Sequence, residues 1–184
     1  MGFATTPGDV LGFWFDPDTK PKWFNGGAAF DAQVRAVLAP ALAAAARGDL
    51  ARWEGDPEGA LALVLLFDQV PRNIFRGTAR AFAHDSEALR LARAALARGW
   101  DLALPVERRV FLYLPFEHSE DLADQELSVR LFRERADEGE YLKYAEAHRD
   151  VIRRFGRFPH RNAALGRAST AAEKEYLAQP GAGF

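Results

Sequence analysis

The sequence predicts an all-α fold, and three observations carry that reading. Apolar residues recur at helical spacing over long stretches, as in Phe30, Val34, Val37, Leu38 and Leu42. Helix starts are written in cap residues followed by proline, at Thr6-Pro7 and Asp56-Pro57, and in the pair Thr170 and Glu173. The one run that a buried strand would also explain, Ala60 to Phe67, has no second strand-like run to pair with.

In chain order, Thr6 and Pro7 open a short helix carrying Val10, Leu11, Trp14 and Phe15, which Asp16 and Pro17 end. Lys22, Trp23 and Phe24 form a connector, and Gly26 and Gly27 break the chain before a helix that Pro40 kinks and Gly48 stops. Asp56 and Pro57 cap the next helix, whose sequence ALALVLLF is apolar on every side; a helix without a polar face belongs in the centre of the core. It runs into DQVPRN, with Asp68 and Gln69 in its last turn and Arg72 and Asn73 in a loop beyond Pro71. A carboxylate there sits at the negative end of the helix dipole and needs a cation, from Arg72, Arg157 or Arg161. His84 and Asp85 begin another helix that Gly99 ends, and Pro105 and Pro115 bracket the next. Ser119 is expected to cap a helix running to a Gly139 stop. The last long helix, from Glu140 to Phe155, turns His148 inward with Tyr141, Tyr144 and Ile152, and a short helix with Tyr176 and Leu177 follows. The count is about eight helices, mostly antiparallel neighbours on short loops, in a single domain over 1-184 with 1-27 as an N-terminal helix and docking arm.

Between the last two helices lies RFGRFPHRN, Arg154 to Asn162, where Gly156 and Pro159 forbid a helix and Phe155 and Phe158 supply apolar pegs. Residues 149 to 167 contain six Arg and one Asp, inside a chain of formal net charge -2. That is a local anion-binding or carboxylate-pairing signature. The near-neutral total argues against a general binder of nucleic acid backbones, and the excess of Arg over Lys, twenty to four, is explained by coding bias. With no cysteine, disulfides, thiol catalysis and thiolate metal sites are excluded. No apolar run approaches the roughly 18 residues of a membrane span, and the start lacks the pattern of a secretory leader, so a cytoplasmic protein of bacterial composition, without membrane contact, is expected. Gly2 to Thr6 matches only the short, common myristoylation pattern.

LGFWF at Leu11 to Phe15, KWF at Lys22 to Phe24, Phe30-Asp31, the stretch Gly59 to Asp85, Phe111 to Glu126, and His148 to Thr170 form a set of segments. Together they resemble the DUF924 family, bacterial proteins of unknown function with a tetratricopeptide-like fold. The resemblance implies a right-handed α-α superhelix of helical hairpins and carries no catalytic residue set. Val70 stands where the family pattern usually has Phe, and Glu117 where Met is common, which makes Glu117 a weaker candidate for a shared role than His118.

The leading functional expectation is a pocket for a small anionic ligand, a carboxylate or phosphate, or an acidic peptide terminus. Its residues are Asp68, Gln69, Arg72, Asn73, His118, Arg157, His160, Arg161 and Asn162, all near helix ends. Arg72, Arg157 and Arg161 serve as clamps, His118 and His160 as polar or titrating partners, and Asp68 orients the guanidiniums. The bland alternative is a structural network of the same groups. A hydrolase, metal-dependent or not, would use His118, His148 or His160 as general base, with Glu117, Glu120, Asp121 or Asp124 as further ligands. The spacing lacks HExxH and paired ExxH motifs, so no metal is assigned, and with no phosphate-loop or dinucleotide motif no cofactor is expected. Ser119 beside His118 makes a poor nucleophile pair, because adjacent residues do not face each other. An interaction module or homodimer would use Trp14, Trp23 and Phe24 as exposed aromatics.

Overall fold

The computed structural model describes residues 6-136 and 140-183, and among them every regular element is helical. The Gly2 pattern and the Gly139 stop lie outside the described residues. Contacts divide the chain into two compact units, residues 1-76 with 80-115 and residues 77-79 with 116-184, where the sequence suggested one domain.

The first unit is built around α3, Pro57–Phe67, which packs against α1 (Pro7–Trp14), α2 (Gly27–Ala46), α4 (Gln69–Ile74), α5 (Asp85–Ala97) and α6 (Trp100–Ala103). Every α3 residue from Gly59 to Phe67 is buried, as a helix with no polar face requires. Asp56 caps it, accepting the Gly59 N–H at 2.9 Å. Trp14 and Trp23 are buried, which removes them from any exposed aromatic face and leaves Phe24, 58% exposed. Trp23 donates its indole N–H to the Trp14 carbonyl at 2.7 Å and meets Phe111 edge-on at 4.8 Å, so the docking arm belongs to the core.

By length and composition alone α2 could cross a membrane, with mean hydropathy 1.2 over 18 residues. That apolarity comes largely from alanine, which is why no apolar run stood out in the sequence. Its larger residues Phe30, Val34, Leu38 and Leu42 are buried in the unit, and the helix continues through Pro40.

Two other prolines sit inside helices that the sequence was expected to break. Pro71 is the third residue of α4, inside the first turn where a missing N–H costs nothing. The segment Gln69 to Asn73, read as helix end plus loop, is therefore a helix of its own, with Asp68 at the junction. Pro115 lies within α7, Val106–Glu117.

In the second unit α8 (Leu122–Arg135) packs along α9 (Tyr141–Phe155), and α10 (Ala171–Leu177) follows the basic loop. The N-cap of α8 is Asp121, which accepts the Ala123 N–H at 2.7 Å. Ser119 instead donates to Asp124 at 2.8 Å and accepts the Asp121 N–H. Gly156 ends α9 in the left-handed region, φ 68°, and turns the chain into the loop.

Candidate functional site

The sequence-predicted residues fall in both units, and each unit gathers its own network. In the first, Asp68 is fully buried where α3 passes into α4. Arg72 answers it: Nη1 lies 3.1 Å from Asp68 Oδ1 and donates to the Asp68 carbonyl at 2.8 Å. The same guanidinium forks across Asp85 at 2.9 and 3.0 Å. Burial works against the charge on Arg72, and Asp68 and Asp85 outweigh it, so its pKa is raised. Gln69 donates to Asp68 at 2.5 Å, and Asn73 donates to Asp31 at 2.8 Å. Arg72 was expected as an open clamp, but two carboxylates already occupy it. It is an internal cross-link, as is the Asp68, Gln69 and Asn73 set around it.

In the second unit the basic loop is held by two two-point ion pairs. Arg157 meets Glu173 at 2.6 and 2.9 Å and also donates to the Ala168 carbonyl. Arg167 meets Glu120 at 2.7 and 2.9 Å, and Glu120 also accepts the Phe158 N–H at 2.7 Å. Asn162, almost fully buried, joins the two pairs: it donates to Ser169 and Glu173 and accepts from Arg167 Nε at 2.9 Å. The Arg157 fork, with help from the Thr170 N–H, holds the Glu173 carboxyl down at about 2. Burial works to raise Glu120, and Arg167 and the Phe158 N–H outweigh it, so it too ends below its ordinary value.

Two histidines of this unit pack on Phe158, and a third lies beside one of them. His148 meets the ring edge-on at 5.6 Å, His160 lies 5.5 Å from it, and the Arg161 guanidinium sits 4.4 Å over it. His118 lies 6.3 Å from His148. His148 Nδ1 is 2.8 Å from the Tyr144 carbonyl, which only accepts, so Nδ1 carries the proton. Burial, followed by His118, pushes its pKa down to about 3. Glu117 Oε1 also approaches the same nitrogen, at 3.3 Å. Among the described residues no group of three His, Asp or Glu side chains is placed to hold a metal ion.

An open groove of about 510 Å³ lies on this unit, lined by Arg154, Phe155, Arg157, Thr170, Ala172 and Glu173. In the basic stretch Arg149 pairs with Asp150, Arg153 with Glu126, Arg157 with Glu173 and Arg167 with Glu120. Arg154 is exposed and lies 4.7 Å over the Phe155 ring, with no carboxylate partner among the described residues. Arg154, Arg167 and Glu173 stand outside the sequence-predicted site, and Glu120 entered it only as a possible metal ligand. Arg154 was legible as part of the basic stretch, whereas Glu173 read only as half of a capping box.

Fold and groove together define an all-helical protein with a basic, carboxylate-braced loop. The chain belongs to the DUF924 family of bacterial proteins of unknown function, whose model matches residues 10–181. It is similar over 94% of its length, and 96% of the other chain, to the solved structure of ATU0120, a protein of unknown function from Agrobacterium tumefaciens, with 46% identity and a TM-score of 0.86. Among curated proteins no relative matches.

Proposed function

We propose that the protein binds a small anionic ligand, a carboxylate or phosphate, or an acidic peptide terminus, in the groove beside the basic loop. The observation that supports this reading is Arg154: a groove-lining guanidinium with no carboxylate partner among the described residues. Next to it, Arg157 is fixed by Glu173 Oε1 and Oε2 through Nε and Nη2, which leaves Nη1 uncommitted among the described residues. A fixed fork beside an exposed one is suited to a two-point grip on an anion. Asn162, Glu173 and Thr170 act behind the ligand by holding Arg157 in place, while Arg161 and His160 lie on Phe158 and His118 lies beside His148.

The hydrolase reading loses one of its candidates on physical grounds. A ring with a pKa near 3 is a weak base at neutral pH, so His148 is poorly matched to general-base work.

The test is a titration of the full chain with phosphate, acetate and an acidic tetrapeptide at constant ionic strength, following the ¹⁵Nε–H signals of the arginines. Saturable shifts of Arg154 and Arg157, abolished in Arg154→Ala with the fold retained, are the expected result. Arg154 signals that stay put under all three ligands refute the reading.

A further inference from the structure

A second, only partly neutralised guanidinium set lies in the first unit, around the end of α4. Phe75 is the C-cap of α4, and the Arg80 guanidinium lies over its ring at 3.7 Å. Arg35, projecting from α2, approaches the same ring at 5.8 Å and donates to the Ile74 carbonyl, one of the last acceptors of α4. Arg76 follows directly and forks across Asp31 at 2.8 and 2.9 Å.

The charge balance at this rim is uneven. Arg76 holds the Asp31 carboxyl below its ordinary value, and Arg35 adds to the effect from further off. Asp31 is one carboxylate serving Arg76, Arg35 and the Asn73 amide. Arg80, exposed, has no carboxylate partner among the described residues. The nearby Arg72 is matched by Asp68 and Asp85 and adds no positive charge.

The geometry is also suited to binding. A guanidinium held over an aromatic ring by cation–π attraction is restrained without spending its N–H donors on a carboxylate. Arg76 is likewise held by a carboxylate that is itself held by the mostly buried Asn73, an arrangement in which supporting hydrogen bonds fix a binding group.

We infer that Arg35, Arg76 and Arg80 around Phe75 form a second anion site, for a phosphoryl group carried by a small molecule. Phosphoryl oxygens suit it better than a single carboxylate, because three guanidiniums from separate turns offer donors in more directions than one planar carboxylate accepts. Arg80 supplies the open fork, and Arg35 and Arg76 supply flanking charge.

The site is tested in the full chain with inorganic phosphate and pyrophosphate as probes, reading the ¹⁵Nε–H signals of Arg80 and Arg154 separately. Pyrophosphate is expected to shift Arg80 saturably and more tightly than acetate does. Arg80→Gln is expected to weaken that binding at least tenfold and to leave the Arg154 response unchanged, while Arg154→Ala does the converse. Arg80→Lys, which keeps the charge and loses the flat fork, is expected to fall between wild type and Arg80→Gln. Because Arg80 is exposed, melting of Arg80→Gln should match wild type. No saturable shift at Arg80, or equal pyrophosphate affinity in wild type and Arg80→Gln, overturns the site without touching the groove.

Discussion

Arg157 and Glu173 face each other as a two-point fork, 2.6 and 2.9 Å, although Glu173 also completes the capping box of α10 with Thr170. One carboxylate thus ties the basic loop to the start of the following helix.

The pH consequence follows from the sign of the shift. Glu173 is held at about 2 against an ordinary 4.5, so its stabilising contribution is fully present above the unfolded value and is lost as pH falls from about 4.5 toward 2. Glu173→Gln is therefore expected to be less stable than wild type at pH 7 and to lose less on acidification. Circular dichroism melts between pH 7 and 2.5 measure both slopes; parallel curves would show that the pair contributes nothing.

The buried pair Asp68 and Arg72 predicts a larger effect. Removing the carboxylate in Asp68→Ala leaves Arg72 with only Asp85 and a fully buried gap beneath it. Stripping one partner from a buried pair costs about 3 to 5 kcal/mol. Urea unfolding should show the loss as a lower midpoint with an unchanged slope. Gln69 and Asn73 substitutions are expected to cost less, since each removes a hydrogen bond to a carboxylate worth about 1.5 to 3 kcal/mol.

Gly59 is a tight spot that the sequence does not advertise. A Cβ built there would lie 2.2 Å from the Trp53 carbonyl oxygen, a backbone atom that cannot swing aside. Gly59→Ala, which would normally favour a helix by about 1 kcal/mol, is expected instead to destabilise by about 1 to 3 kcal/mol or more through overpacking. A higher melting temperature in Gly59→Ala would contradict this placement of Trp53.

The helical class was legible because it rests on local signals: the Asp56 cap, the Thr170-Glu173 box and the uniformly apolar α3 all hold in the structure. The cation that Asp68 needed was likewise its nearest candidate, Arg72, one helical turn away. What failed depended on position within a turn or on distance along the chain. Pro71 read as a breaker because its place in the first turn of α4 depends on where α3 stops. Glu120 reaches Phe158 and Arg167, 38 and 47 residues onward, and nothing local announces such a partner. Arg154 was visible, but that it would be an exposed guanidinium without a carboxylate partner among the described residues follows only from where the acids fall in space.

His148 is the sharpest probe of the packing around Phe158. Its folded pKa of about 3 lies below the ordinary 6.5, so the unfolded chain takes up the proton first as pH falls. The stability His148 permits is whole above about 6.5 and declines toward 3, by at most about 1.4 kcal/mol per pH unit. Glu117, His118, His160 and Arg161 all bear on the ring, and the two histidines and Arg161 oppose its protonation. The His148 ring signals in NMR are therefore expected to stay constant from pH 8 down to 5. His148→Gln is expected to flatten the stability profile between pH 6.5 and 4 while lowering stability at pH 7, because the amide fills the site less well than the ring. A His148 resonance that titrates near 6.5 would mean that the ring is not enclosed between Tyr144 and Phe158 as described, and the packing of His148 and His160 on Phe158 would have to be redrawn.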